Sequence, residues 1–446
     1  MRVNGPTSPF LVDGSGAPAP SVLAGRLLEV LPAGPDRKIL VAAEDKSVMA
    51  AAFLAAAAGG PGIVLPHALT DRVLHAAAEA TGAKHVLTDR DRNLPPGLEE
   101  IRFVSDSVPH EPTPSLPDSD PRRRCLWLFT GGSTGSPSVW SKTAANIFEE
   151  ARLLARTHAI GPDDRILSTV PIMHIYGLLF SVVLPLIAGA RTANAVPYFP
   201  EEIRGQIDGL QATVLISSPA HYKVMASAPP SPKSLRLAFS SGGFLAEGDG
   251  IRFLEATKVG VTEVYGSTET GGIATRCRFA DETAWTPMPP VRWRLDGERL
   301  AVSSPFLSPD LPVSPEGYFT TGDRVTAAGP GLFHLLGRAD GILKVGGKRV
   351  DMEATRSRLL ALPGVHDVAM VAISSDHGRG NVLAALIVGD GDAARIRREA
   401  GAVLEPHEMP RVIRLLDEIP RTATGKEDKI TMVSLINNAF ATEGEL

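Results

Sequence analysis

This chain has few cysteines and no large excess of positive or negative charge. Both features exclude several classes of protein. The 446 residues include 2 cysteines, Cys125 and Cys277, which are too few for a disulfide framework or a cysteine zinc site. A reducing cytoplasm is therefore expected. The formal net charge of −5 favours neither nucleic acid nor an anionic membrane as a partner. Residues 1–16 contain no apolar stretch of the kind that a signal peptide requires.

Long uninterrupted hydrophobic runs are lacking as well. Residues 48–65 are nearly free of charge, but most of them are alanine, and Gly59, Gly60, Pro61 and Gly62 interrupt the stretch. A membrane span needs about 20 apolar residues without such breaks. The stretch instead predicts a buried helix that leads into a strand at residues 63–65.

The length predicts about two or three domains. Helical and extended segments alternate over residues 1–120 and again up to about residue 275, which indicates an α/β fold with layered parallel sheets. Short strands separated by Gly and Pro follow at residues 286–340 and predict a β-rich subdomain. Residues 342–446 predict a small α+β unit.

A strand signal at residues 126–128 leads into a loop of small residues that exposes backbone N–H groups and hydroxyls. Such a loop suits a polyphosphate, which needs many hydrogen-bond donors at close range. The same sequence also fits the nucleophile elbow of a hydrolase. The loop residues are Thr130, Gly131, Gly132, Ser133, Thr134 and Gly135.

Further polar segments follow in order along the chain. His174 lies beside an apolar stretch, where a histidine is usually part of the core. Gly242 and Gly243 form a small-residue turn. In the segment 264–272 a tyrosine can stack on a base, and a carboxylate can hold Mg²⁺ against phosphate oxygens. The alternative for that segment is a turn with a capping residue.

Segments nearer the C-terminus complete the series. Asp323 follows a glycine turn and can accept hydrogen bonds from ribose hydroxyls, although an Asx-turn is the simpler interpretation. Residues 337–350 combine Arg338 and Asp340 with the pair Gly346 and Gly347. Residues 419–426 end in a lysine, which near a chain end is usually solvated.

Taken together in this order and spacing, the segments resemble the adenylate-forming superfamily: acyl-CoA synthetases, aryl-acid ligases, adenylation domains of nonribosomal peptide synthetases, and luciferases. The resemblance covers about residues 120–430. It implies a large adenylation domain over residues 1–339 and a small mobile domain over residues 340–446, with the hinge at Asp340. It also implies ATP and Mg²⁺ as cofactors and a thiol of CoA or phosphopantetheine as the acceptor.

The resemblance implies a role for each matching position. Residues 130–135 would wrap the β- and γ-phosphates of ATP, and His174 would border the carboxylate pocket. Tyr265, Gly242 and Gly243 would frame the adenine, while Asp323 and Arg338 would bind the ribose. Gly266 is a further cofactor-binding position. The catalytic and acceptor-side positions would be Thr268 on the α-phosphate, Glu269 on Mg²⁺, Lys426 on the carboxylate and α-phosphate, and Gly346 and Gly347 beside the phosphopantetheine arm.

The phosphate loop departs from the family at one position. Members usually carry lysine directly after the loop proline, whereas here Pro137 is followed by Ser138. Lys142 is the nearest cation on the segment. Either it replaces the missing charge, or it is a solvated residue at the start of a helix.

The implied reaction is ATP-dependent activation of a carboxylic acid, followed by transfer of the acyl group to the thiol. The segment at residues 174–177 and the short chain are similar to aryl-acid members, among them the short ligases that load an acyl carrier protein in aryl-polyene and xanthomonadin-type pigment pathways. A fatty acid with CoA is the alternative. A serine hydrolase using Ser133 and His174 would leave Tyr265, Glu269 and Lys426 without a role.

Overall fold

A computed structural model of the chain describes residues 10–13, 16–34, 37–111, 115–130, 138–225, 234–277, 282–339, 342–345, 348–374, 381–406, 408–422, 425 and 427–442. Compactness divides the chain into two units: Met1–Arg292 with Ser303–Phe319, and Trp293–Val302 with Thr320–Leu446. The boundary predicted at residue 340 marks an expected pivot rather than a change in packing. It therefore stays a prediction.

The first unit begins with a six-stranded sheet made of β1 (Lys38–Val41), β2 (Gly62–Leu65), β3 (His85–Thr88), β4 (Glu99–Arg102), β5 (Arg124–Thr130) and β6 (Ser138–Thr143). Its strand order is β4-β3-β1-β2-β5-β6. All neighbours are parallel except β5 and β6, which are antiparallel. The segments 131–137 between β5 and β6 lie outside the described residues.

The helices that accompany this sheet are α1 (Pro20–Val30), α2 (Lys46–Ala57), α3 (Asp71–Thr81) and α4 (Ala144–Thr157). The Asp45 side chain caps α2 by accepting from the backbone N–H groups of Ser47 and Val48. Helix α2 is buried along nearly its whole length and is followed by β2, so the prediction for residues 48–65 is confirmed. None of the helices in the described part of the chain is long and apolar enough to cross a membrane.

A seven-stranded sheet follows, made of β7 (Arg165–Ser168), β8 (Arg191–Thr192), β9 (Val214–Ser217), β10 (Leu237–Ser240), β11 (Val261–Ser267), β12 (Gly271–Cys277) and β13 (Thr286–Pro287). Its order is β13-β12-β11-β10-β9-β7-β8. Strands β7 to β11 are parallel, and β12 and β13 are added antiparallel. The carboxyl ends of β7, β9, β10 and β11 therefore lie along one edge.

Helices α5 (Ile175–Leu178), α6 (Leu184–Ala188), α7 (Pro200–Leu210), α8 (Pro219–Met225) and α9 (Glu247–Thr257) belong to this second layer, with a π-helical turn at Leu179–Val183. Apolar side chains from the sheet and from α7 to α9 share one core, which includes Leu215, Ala238 and Phe253. This core packs α7 to α9 against the sheet.

The second unit contains a four-stranded sheet in the order β14-β15-β16-β17, with β14 (Arg292–Asp296), β15 (Arg299–Ser303), β16 (Phe319–Ala327) and β17 (Phe333–Arg338). A hairpin of β18 (Ile342–Val345) and β19 (Lys348–Asp351) follows. The last sheet has β20 (Val365–Ser374), β21 (Asn381–Gly389) and β22 (Val412–Leu415), with helices α10 (Met352–Leu360), α11 (Ala393–Val403) and α12 (Lys429–Thr442).

Alternation along β20 gives this last sheet a core on each face. Val368 and Met370 pack into one cluster with Ile396, whereas Ala369 and Val371 pack into another. Such a period of two is what a strand covered on both sides requires. The predicted class is confirmed: layered α/β sheets, then a β-rich segment and a small α+β unit.

Candidate active site

Five predicted site residues of the first unit follow the carboxyl ends of strands in the seven-stranded sheet. His174 follows β7, Gly242 and Gly243 follow β10, and Thr268 and Glu269 follow β11. Since these strands are parallel neighbours or near neighbours, their carboxyl ends lie side by side. Ligands of open α/β sheets bind at this kind of edge. The structure therefore brings together positions that the sequence keeps about 95 residues apart, a span set by crossover connections of the βαβ type.

Thr268 and Glu269 occupy the tip of the antiparallel hairpin formed by β11 and β12. Ser267 pairs with Gly271 in the register, which leaves Thr268, Glu269 and Thr270 as the turn. The Thr270 hydroxyl accepts from the Ser267 N–H at 3.1 Å and closes the turn. Both predicted contact residues are half-buried, so the hydroxyl and the carboxylate are held at a surface that a ligand can reach.

Glycine is required on both strands next to the turn of this hairpin. Gly271 has φ +68°, and a Cβ there would lie 2.7 Å from the Phe306 Cβ and 2.8 Å from a Glu150 carboxylate oxygen. A Cβ on Gly266 would lie 2.2 Å from the Gly271 carbonyl oxygen. The tip therefore approaches its neighbours by backbone alone, as only glycine allows.

Tyr265 lies on β11 just before this tip. Its half-buried ring lies 5.5 Å from the Trp285 ring at an interplanar angle of 52°. The Arg276 guanidinium covers the Trp285 ring at 4.4 Å. A layer of an aromatic ring and a cation thus supports Tyr265 from one side, which suits a ring that stacks on a base.

Gly242 and Gly243 form an exposed turn after β10, and Gly242 has φ +84°. The Ser241 hydroxyl donates to the Val264 carbonyl at 2.7 Å and links this turn to β11. A turn without side chains beside Tyr265 leaves its backbone groups open to a flat ligand. The contact of this turn with an adenine, which the resemblance implies, stays a prediction.

His174 stands at the N-cap of α5, and its carbonyl accepts from the Leu178 N–H at 2.8 Å. The chain folds back tightly here, so that Gly177 lies close to Pro171. A Cβ on Gly177 would lie 2.1 Å from the Pro171 carbonyl oxygen. The His174 side chain is half-buried. It is therefore placed at the sheet edge by a tight turn rather than packed into the core.

Lys142 is buried and not solvated, so the helix-start interpretation is wrong. Its side chain is 1% exposed, and its Nζ donates to the carbonyl oxygens of Glu269 at 3.1 Å and Phe306 at 2.6 Å. Burial lowers its pKa to about 8, against the opposing effect of Glu150, Glu269 and Asp310. The ammonium group is directed at the hairpin tip.

Glu150, which the sequence did not single out, also contacts the hairpin that carries Thr268 and Glu269. It is buried in α4, and its Oε1 accepts from the Gly272 N–H at 2.8 Å. Burial raises its pKa, while Lys142 and the Gly272 N–H act in the opposite direction. The available signal was its spacing: Glu150 lies on the same helical face as the buried Ile147 and Leu154.

Asp323 and Arg338, the predicted ribose pair, belong to the second unit. They are cross-strand partners on β16 and β17. The Asp323 N–H donates to the Thr321 hydroxyl at 3.1 Å. The register thus confirms that these two positions are adjacent, whereas their contact with a ribose stays a prediction.

The phosphate-loop, hinge and C-terminal predictions fall mostly outside the described residues. Thr130 ends β5, as expected for a strand that feeds a phosphate loop. The following predictions lie outside the described residues: Gly131, Gly132, Ser133, Thr134, Gly135, Asp340, Gly346, Gly347 and Lys426.

The Glu269 carboxylate fits a shared Mg²⁺ site. Within the described ranges, no side chain or N–H donates a hydrogen bond to it, and no group of three or more His, Cys, Asp or Glu residues could hold a metal by itself. Mg²⁺ commonly binds through one or two carboxylates together with substrate phosphates. A half-buried single carboxylate beside a predicted phosphate site matches that pattern.

Comparison with known proteins agrees with this geometry. Residues 21–312 match the model of the family described as AMP-binding enzyme, and residues 357–426 match its AMP-binding enzyme C-terminal domain. Fold and site together define an AMP-forming acid–thiol ligase, an enzyme that makes an acyl-adenylate. The chain belongs to the AMP-binding enzyme family.

Similar proteins include two curated ligases and one solved structure. Benzoate–CoA ligase of Thauera aromatica is 27% identical over 367 residues, which cover 74% of this chain and 69% of that protein. 4-Coumarate–CoA ligase of Rhodobacter capsulatus is 31% identical over 301 residues, with 67% and 73% covered. ATP-bound MatB from Rhodopseudomonas palustris superposes with a TM-score of 0.80 at 20% identity, over 95% and 94% of the two chains, and shows the shared fold.

Proposed function

We propose that this ligase activates a small aromatic carboxylic acid with ATP and passes the acyl group to a phosphopantetheine thiol. The observation that carries the proposal is the hairpin tip, which holds the Thr268 hydroxyl and the half-buried Glu269 carboxylate at the carboxyl edge of the sheet. Tyr265 and the turn at Gly242 and Gly243 flank it with a ring and open backbone.

The chemistry follows from charge. The acid carboxylate attacks the α-phosphorus of ATP, the bond to the bridging oxygen breaks, and pyrophosphate leaves. Since two anions approach each other, positioned donors and cations supply most of the stabilisation. Thr268 would donate to an α-phosphate oxygen and Lys426 would neutralise the same group. Mg²⁺ held by Glu269 would add positive charge against the phosphate oxygens when bound.

The second half-reaction needs no nucleophile from the protein. A thiol attacks the acyl carbon of the mixed anhydride, AMP leaves, and a thioester forms. Gly346 and Gly347 would let the phosphopantetheine arm pass close to the backbone. We propose that the small C-terminal domain turns about Asp340 between the two steps, so that Lys426 and the glycine pair serve in succession.

An aromatic acid is supported by the surroundings of the turn after β7. Tyr176 and Phe180, which follow His174, have ring centroids 4.9 Å apart, and Phe180 lies 5.3 Å from Phe239 on β10. Phe180 and Phe239 are buried behind Tyr176, so of these three rings the half-buried Tyr176 is the one that can offer a flat apolar wall to another ring. Relatives named for benzoate, 4-coumarate and hydroxybenzoate point to the same class.

An acyl carrier protein in the cytoplasm is our proposal for the acceptor, with free CoA as the alternative. The test is ATP–pyrophosphate exchange by the purified full chain with 4-hydroxybenzoate, 4-coumarate and octanoate, followed by thioester assays that offer CoA and a phosphopantetheinylated carrier protein separately. Exchange that depends on an aromatic acid is expected. If only octanoate supports exchange, the proposal of an aromatic acid is overturned. If none of the three acids supports exchange, the proposed reaction is overturned.

A further inference from the structure

Two opposite charges hold the hairpin tip from two different elements. Lys142 reaches it from β6, the strand that leaves the phosphate-loop segment, and donates to the Glu269 carbonyl. Glu150 reaches it from α4 and accepts from the Gly272 N–H. The two contacts lie on either side of Thr270, so they hold the peptide groups on both sides of the turn.

The 304–310 segment also makes hydrogen bonds to the turn and to the elements that carry Lys142 and Glu150. The Glu269 carbonyl also accepts from the Ser308 N–H at 2.7 Å, and Lys142 binds the Phe306 carbonyl of the same 304–310 segment. The Asn146 amide, which caps α4 together with Thr143, donates to the Pro305 carbonyl at 2.6 Å. Strand, helix and loop therefore converge on the backbone of one short turn.

Burial makes this arrangement informative. The side chains of Lys142 and Glu150 are 1% and 3% exposed. Taking a charged side chain out of water is costly, so stability alone does not explain two buried charged residues here. An ammonium and a carboxylate that each bind a backbone group of the turn fix the position of that turn.

We infer that Lys142 and Glu150 are positioning residues that hold the Thr268–Glu269 tip in the geometry needed at the α-phosphate. This inference rests on the proposed function of that tip. Lys142 then acts on the nucleotide through the Glu269 carbonyl. It does not substitute for the lysine that Ser138 replaces, and its effect falls on the rate of adenylation more than on ATP affinity.

The test uses Lys142→Met, Glu150→Leu, the double variant and Glu150→Gln in the full chain. Lys46→Met is the matched control, because Lys46 is a second buried lysine that donates to a backbone carbonyl, that of Ala193, away from the hairpin tip. We expect Lys142→Met and Glu150→Leu each to lower kcat for ATP–pyrophosphate exchange about 10²-fold, the cost of a misplacement of roughly 1 Å. KM for ATP should change less than about threefold, and Lys46→Met should change neither value more than about twofold.

The double and the conservative variants separate positioning from folding. Lys142→Met combined with Glu150→Leu removes both buried charges, so its urea midpoint should be at or above that of either single variant while kcat stays low. Its loss should not exceed that of the single variants, because both residues act on one turn. Glu150→Gln keeps an acceptor for the Gly272 N–H and should retain most of the rate. A double variant with restored kcat would overturn the inference.

Two measurements do not depend on turnover. Hydrogen–deuterium exchange of the peptide covering residues 261–277 should rise in Lys142→Met and Glu150→Leu and stay unchanged in Lys46→Met. Calorimetry with AMP alone should show binding weakened by less than about threefold in the same two variants, in line with the small change expected in KM for ATP. Unchanged hydrogen–deuterium exchange and unchanged AMP binding, together with a raised KM for ATP, would indicate that Lys142 contacts a phosphate directly. That result would overturn the inference. If the wild type lacks acid-dependent activity, the proposed function fails. These two measurements still test whether Lys142 and Glu150 fix the position of the turn.

Discussion

Glu263 and Arg276 face each other across the hairpin that carries Thr268 and Glu269 at its tip. They are cross-strand partners on β11 and β12, and the guanidinium binds the carboxylate through two bonds, Nε to Oε2 at 2.6 Å and Nη2 to Oε1 at 3.1 Å. The Arg276 side chain is 10% exposed and the Glu263 side chain is 4% exposed. A bidentate pair at this depth sets the hairpin register and also supports Trp285 behind Tyr265.

Arg276→Met should destabilise the protein by about 3–5 kcal/mol, because it breaks a buried pair by removing the guanidinium that binds the Glu263 carboxylate through two bonds. Urea denaturation followed by Trp fluorescence measures the change. The double variant with Glu263→Leu should recover much of the loss. Equal stability of the single variant and the wild type would contradict the inference that this pair is buried and coupled.

Gly271→Ala should disturb the tip without removing any polar group. The new Cβ would lie 2.7 Å from the Phe306 Cβ, and φ at this position is +68°, which strains an L-residue. We expect kcat for pyrophosphate exchange to fall at least about tenfold, since displacements near 1 Å cost up to 10²-fold. Gly209→Ala, where a Cβ meets nothing within 4 Å, is the control and should leave exchange unaffected.

Stability should rise between pH 7 and pH 8 because of Lys46. Burial lowers its pKa in the folded protein from 10.5 to about 7, against the effect of Asp13 and Asp45. The folded state then releases this proton in a range where the unfolded chain still holds it, so the free energy of unfolding increases with pH. The gain from this residue is about 1 kcal/mol over that unit.

Urea denaturation at pH 7 and pH 8 tests this linkage. Lys46→Met removes the titrating group and should lose that part of the increase, whatever its stability at pH 7. Lys142, whose pKa is about 8, contributes mainly above this window. Identical slopes for the variant and the wild type would show that Lys46 is not protonated differently in the two states.

Lys426→Ala should slow adenylate formation by about 10²–10³-fold, the effect of removing one preorganised charge. Transfer from a preformed acyl-adenylate to the thiol should change far less, since the resemblance places this lysine only in the first step. The two half-reactions are measured separately, by pyrophosphate exchange and by single-turnover thioester formation. Equal losses in both would remove Lys426 from its assigned role.

Asp340→Pro should leave pyrophosphate exchange largely intact and block thioester formation. Proline fixes φ near −65° and stops a pivot from reaching two conformations. Asp340→Ala, which keeps φ free, is the control and should support both steps. A normal thioester yield from the proline variant would place the hinge elsewhere.

Much of the fold could be predicted from the sequence because its signals are local. The alanine-rich stretch after Asp45 became α2, and the Gly-Pro break before Ile63 became the start of β2. The apolar runs at residues 213–216 and 235–239 became β9 and β10 with shifts of a residue or two. Periodicity and turn residues act over a few positions, so a linear pattern is enough to place them.

The environment of Lys142 and Glu150 could not be predicted in this way. In the sequence Lys142 is the nearest cation to a phosphate loop that lacks its lysine, and Glu150 is one acid in an amphipathic helix. Only the pairing of β5 with β6 and the packing of α4 turn both side chains toward the β11–β12 tip.

The sequence by itself determined the family, the order of the motifs and the reaction they imply, since these depend on residue type and spacing. Tertiary structure decided which charges are buried and which backbone groups they bind. Burial and contact arise between segments far apart in the chain, as between Lys142 and Phe306, and the pKa of a lysine or glutamate follows from that environment rather than from its neighbours in sequence.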